Sequence, residues 1–298
     1  MKENIKSVFK RLLIPFIIAC LIGLIYNIIS IMLTASSVMI YYPLQMWQNS
    51  NELLSLIYPV FSTIPFCWIL YYERKNGYLY FVSTRTSVKK YLINHYICGA
   101  FMAFACMFFI SFSGLLLSLF IIQPQFVEAT NEILTGSLWG GMQIETPLLY
   151  GFLLSLWRGY ISILMYTFGY LISLISNHLF VILTGGFIYS ILENFATALL
   201  NCPAYSLCTS FEPNRIDFTS VPLSPSVSII IGPTILLLVC CCVLLPYYII
   251  QEKKENGTLE NKNKPVCFHQ FLSDFCKPVH SIHPILIEVN HIHFECII

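Results

Sequence analysis

A chain of 298 residues that is 57% hydrophobic and only 10% charged, with a mean hydropathy of +0.72, cannot be a soluble globule, because such domains carry about 25% charged residues. It reads as an all-α polytopic membrane protein, long enough for several spans of ~20 residues but not for six spans and a folded nucleotide-binding domain together. The formal charge of +1, with no dense basic patch, points away from nucleic acid.

Residues 1–11 carry Lys2, Lys6, Lys10 and Arg11 ahead of a first apolar span at 12–33, which by the positive-inside tendency puts the N-terminus in the cytoplasm. The run Ile17-Ile18-Ala19-Cys20 resembles a lipoprotein cleavage site, but the sequence stays apolar beyond it, unlike a processed lipoprotein. Residues 34–51 form an almost uncharged outer loop whose Tyr41, Tyr42 and Trp47 suit the membrane interface. The second span, 53–70, contains Pro59 and Pro65. Each removes a backbone donor, so the bent helix belongs inside a bundle.

The next loop carries Arg74, Lys75, Arg85, Lys89 and Lys90 and is expected to face the cytoplasm. Within it Tyr78, Phe81 and Val82 fall at i, i+3 and i+4, on one face of a short helix that lies along the inner membrane surface or docks into a groove. Gly77 is expected to open this helix, and Thr86 or Ser87 to cap the one that follows. The third span, 88–122, is long enough to require tilt or projection into the cytoplasm. His95, near its inner end, is expected to be a hydrogen-bonded interfacial side chain.

Residues 123–147 hold Glu128, Glu132 and Glu145 without Lys or Arg, as suits an outer loop. The apolar stretch 148–157 reads as interfacial or re-entrant, ahead of a fourth span at 159–176. Asn177-His178 makes a tight inner turn to a fifth span at 179–200. Counting from that turn, Arg158 and Glu193 lie about 28 Å and 22 Å along antiparallel helices, which makes them a candidate buried ion pair.

Residues 201–228, broken by four prolines, read as irregular outer cover. Cys202 and Cys208 within them are a candidate disulfide, whereas Cys20, Cys67, Cys98, Cys106 and Cys240-Cys241-Cys242 lie in apolar runs where a thiol behaves as a small hydrophobe. A sixth span at 229–250 returns the chain to the cytoplasm. Of the 16 Lys and Arg residues only Arg158 and Arg215 then fall outside, the strongest internal support for six spans. The tail 256–298 holds His269, His280, His283, His291 and His293 with three cysteines, but not in paired zinc-ligand spacings, so no metal is expected. No phosphate loop, zinc-protease motif or nucleophile elbow occurs, so no enzyme activity is expected in this chain.

The order Glu73, Gly77, a short amphipathic segment, Thr84-Arg85 and then Lys89 at the mouth of a span resembles the first cytoplasmic loop of ABC transporter permease subunits of the type-2 export class. The likeness extends over residues 1–255 in architecture. It implies a cytoplasmic coupling loop between the second and third helices, with Glu73, Gly77, Tyr78, Phe81, Val82, Thr84 and Arg85 against a separate ATPase subunit. ATP and Mg would bind that partner, not this chain. It further implies a second permease subunit and a plasma-membrane location with both termini cytoplasmic. Its cargo would be amphipathic: a peptide, an antibiotic or a lipid. The alternative is a polytopic sensor or assembly factor that uses the same loop to hold a partner without transport.

Overall fold

The computed structural model describes residues 2–37, 40–84, 87–122, 136–216, 218 and 223–258. Two compact units divide it, 1–247 and 248–298, and of the second only the end of the last helix is described. The described residues are predominantly helical, with no strand among them: α1 (Lys2–Ser37), α2 (Gln45–Asn51), α3 (Leu54–Lys75), α4 (Tyr78–Ser83), α5 (Val88–Leu116, continued by a π-helical turn Leu117–Ile121), α6 (Gly140–Glu145), α7 (Pro147–Ile175), α8 (Leu179–Leu199), α9 (Leu207–Phe211) and α10 (Pro225–Thr258). Six of these, α1, α3, α5, α7, α8 and α10, contain segments long and apolar enough to cross a membrane. The molecule is therefore a multi-pass membrane protein.

Helix α5 is central, packed on one side against α1 and on the other against α7, while α3 packs against α7 and α8. Small residues allow these close crossings, as expected where lipid gives no hydrophobic drive between helices. A Cβ on Gly23 of α1 would overlap Ile110 of α5, and one on Gly169 of α7 would overlap Thr63 of α3. Polar side chains add inter-helix hydrogen bonds. Asn27 Nδ2 donates to Ile110 O at 2.6 Å, and Ser162 Oγ donates to Ala103 O at 3.0 Å. Pro59 and Pro65 lie inside α3, which is half buried in the bundle. Thr63 Oγ1 donates to the Pro59 carbonyl at 2.8 Å.

The structure departs from the sequence reading at the ends of the bundle. Residues 148–157 continue α7, so Arg158 lies inside a 29-residue helix instead of at its start. The reason is Pro147 at the first helical position, where its missing N–H costs nothing. Trp47, on α2, is fully buried within the protein. His95 is also buried, stacked on Tyr170 with ring centroids 6.0 Å apart, and neither ring nitrogen has a hydrogen-bond partner among the described residues. The side chain of Ser87, at the N-cap of α5, makes no capping bond, and Thr86 lies outside the described residues. The segment read as outer cover folds inward, with α9 wholly buried.

Candidate functional site

Two polar clusters stand out in the first unit, one at the basic end of the bundle and one at the opposite end. At the basic end α3 stops after Arg74 and Lys75, and the chain reverses through Gly77 at φ 70°, a left-handed conformation that disfavours residues with a Cβ. Helix α4 follows at once. Arg11 of α1 reaches across to it: Nη1 pairs with Glu73 Oε1 at 2.9 Å, Nη2 donates to Tyr78 Oη at 3.0 Å, and the guanidinium lies 4.7 Å from the Tyr78 ring centre. Tyr91 of α5 donates to the same Glu73 oxygen at 2.8 Å. One carboxylate thus ties α1, α3 and α5 together beneath α4. Arg74 extends the joint to α7 by donating to the Ser173 carbonyl and, at 3.2 Å, to Asn177 Oδ1. A cleft of about 640 Å³ opens beside this network, lined by Arg11, Ile14, Trp68, Tyr72, Tyr78 and Phe81.

The seven residues of the expected coupling loop fall into different environments. Phe81 is 66% exposed, whereas Val82 is 8% exposed and belongs to the main core, so the two do not present a common apolar face. A six-residue helix lying on the bundle buries the flank to which Val82 belongs. Glu73 is buried by its two partners and is not a surface charge. Thr84 Oγ1 donates back to Phe81 O at 2.8 Å and closes the helix. Arg85 lies outside the described residues.

At the opposite end the candidate pair Arg158–Glu193 is replaced by another. Arg158, with no exposed surface, pairs through Nη2 with Glu212, donates from Nη1 to Ser111 Oγ at 2.8 Å, and from Nε to Phe211 O at 3.1 Å. Its guanidinium lies between the rings of Trp47 (4.4 Å) and Phe211 (5.0 Å). Glu193 instead accepts from the backbone N–H of Leu207 at 2.9 Å, at the positive start of α9. Both residues grip α9, one at each end, without touching each other. Burial pushes the Glu212 carboxyl up to about 7 against the attraction of Arg158.

Cys202 and Cys208 are both free thiols. Packing of α9 draws Cys208 inward, where its Sγ lies 3.3 Å from Ser55 O, while Cys202 Sγ turns to Leu200 O at 3.4 Å. Among the described residues no cluster of His, Cys, Asp or Glu suits a metal ion, and the His- and Cys-bearing tail lies outside them. Glu212 was not legible as a site residue, because it sits in a proline-rich loop; its signal was that the chain offers few carboxylates able to meet a buried arginine. Compared with family models, curated proteins and solved structures, the chain matches none.

Proposed function

We propose that this chain is the membrane-spanning permease subunit of an ATP-binding cassette exporter, working with a separate cytoplasmic ATPase that binds ATP and Mg, and with a second permease subunit. Its basic end faces the cytoplasm of a plasma membrane, and its cargo is amphipathic. Helix α4 supports this reading: a short helix between the second and third spans, exposed at Phe81 and anchored beneath by the Arg11–Glu73–Tyr91 network. A push on α4 reaches three spanning helices through one carboxylate, which is what a coupling element requires. Phe81 is the expected anchor, since a large apolar group entering a pocket carries more binding energy than a rim of screened charges.

The test is co-purification of an ATPase subunit with the full chain from native membranes, alongside the Phe81→Ala variant. The wild-type chain should retain an ATP-hydrolysing partner, and Phe81→Ala should lose most of it at unchanged membrane abundance. Recovery of a non-hydrolysing protein would favour the sensor or assembly reading.

A further inference from the structure

The Arg158 cluster has the composition of a ligand site, yet its ligand comes from the chain itself. A guanidinium with no exposed surface is held between two aromatic rings, one of which, Phe211, belongs to the segment that also supplies the carboxylate. The Phe211 ring in turn stacks on Tyr58, with centroids 4.6 Å apart. Its place is therefore a ring-shaped slot beside a carboxylate-binding fork. The remaining walls, Trp47, Ser111, Tyr58 and Tyr150, come from α2, α5, α3 and α7 and do not depend on the inserted segment. Helix α9 is five residues long, and each of its flanks carries a proline-headed 3₁₀ turn.

Occupancy by Glu212 is incomplete. Glu212 Oε1 is buried without a hydrogen-bond partner among the described residues, and such a group is costly to leave unpaired, while the buried Tyr58 and Tyr150 hydroxyls make no bond to Glu212. A carboxylate free to choose its position in the slot, unlike one tethered through α9, can accept from Arg158 and a phenol together.

We propose that Arg158, Ser111 and Trp47 form a binding site for an amphipathic carboxylate bearing an aromatic group, and that Phe211-Glu212 occupies it as an internal ligand which such a molecule displaces. In the exporter reading, on which the transport role but not the binding rests, this places an acid-selective site at the outer end, with α9 as its plug.

The experiment uses the purified full chain in detergent, with 3-phenylpropanoate as probe, 3-phenylpropan-1-ol as its uncharged counterpart and hexanoate as its aliphatic one. Melting temperature is read for Glu212→Ala, Glu212→Gln and Glu212→Ala/Arg158→Met. The aromatic acid should raise the melting temperature of Glu212→Ala by a few degrees in a saturable way, and that of Glu212→Gln less. The alcohol and hexanoate should do little, and the double variant should not respond. In the wild-type chain the same acid should increase several-fold the labelling of buried Cys208 by a thiol reagent, read peptide by peptide.

An equal shift with the alcohol, or a shift that survives Arg158→Met, overturns the carboxylate site. An equal response to hexanoate overturns its aromatic selectivity. Cys208 protection unchanged at saturating acid overturns the plug. If Glu212→Ala cannot be purified folded, Glu212→Gln carries the binding test, and absence of any shift there overturns the site. None of these outcomes depends on whether an ATPase co-purifies.

Discussion

Arg158 and Glu212 are unequal partners, because a guanidinium keeps its charge at any pH the protein meets while a carboxyl can take up a proton. Glu212→Ala strands a fully buried cation and should cost about 3–5 kcal/mol, whereas Arg158→Met leaves a carboxyl that neutralises itself and should cost less. Thermal unfolding of both variants in one detergent checks the order, and equal losses would contradict it. The pH dependence has a definite sign. Glu212 has its folded pKa raised to about 7 from 4.5, so the folded state holds the extra proton between those values. Its contribution to stability is complete below about pH 4.5 and is lost as the pH rises through 7. From pH 5 to pH 8 the wild-type chain should therefore lose more melting temperature than Glu212→Gln, which has no proton to release; parallel curves would refute the shift. Arg158 itself was legible in the sequence as a buried charge in need of a partner. The partner was not, because helical rise places only residues on regular helices, and Glu212 enters from a loop.

Helix α4 shows what periodicity can and cannot supply. The spacing of Tyr78, Phe81 and Val82 correctly marks a short helix, but the side it buries depends on where the bundle lies. Val82 packs into the core and Phe81 stays exposed. Val82→Ala should accordingly lower the melting temperature, at a cost of about 1–3 kcal/mol, while Phe81→Ala leaves it near wild type. The reverse order would mean that α4 sits the other way up. Gly77 offers a cleaner test, since nothing lies within 4 Å of where its Cβ would be, so Gly77→Ala meets only the conformational cost of φ 70°. That cost is about 1–2 kcal/mol, and Gly77→Asn, better suited to the left-handed region, should recover part of it. Melting temperatures of the two variants settle this, and Ala equal to Gly would remove the strain argument. The insertion of α2 and α9 between the spanning helices was hidden for a related reason. Both are short, and their burial follows from bonds such as Trp47 Nε1 to Ser111 O at 3.0 Å and Trp157 Nε1 to Ser210 O at 3.1 Å, which join residues far apart in sequence.

At the scale of the whole chain the six spans were legible because membranes impose length and apolarity, and the second, third, fifth and sixth begin close to where hydropathy placed them, while the first begins earlier, at Lys6. The fourth began late on paper because Arg158 looked like a boundary; a charge neutralised by Glu212 need not be one. The charges of the bundle predict its orientation. Lys10, Arg11, Arg74, Lys75, Lys89 and Lys90 belong to one end of the spans, whereas the opposite end carries Arg158, already paired, and Arg215. Positive charge resists translocation across the membrane, so the basic end should be cytoplasmic. Exposed asparagines allow a direct check. Asn76, after α3, and Asn177, in the turn from α7 to α8, lie at the basic end, while Asn49 in α2 and Asn201 after α8 lie at the other. In a background without native cysteines, Asn76→Cys and Asn177→Cys should react with a membrane-impermeant maleimide only after the cells are opened, and Asn49→Cys and Asn201→Cys in intact cells. Along the chain the two outer sites flank the two at the basic end, so a wrong span count disturbs the pattern differently from an inverted protein. Inversion exchanges the two pairs as a whole and removes α4 from reach of any cytoplasmic ATPase. A miscounted span separates Asn76 from Asn177, or Asn49 from Asn201, and would break the bundle topology itself while leaving the sign of the charge argument intact.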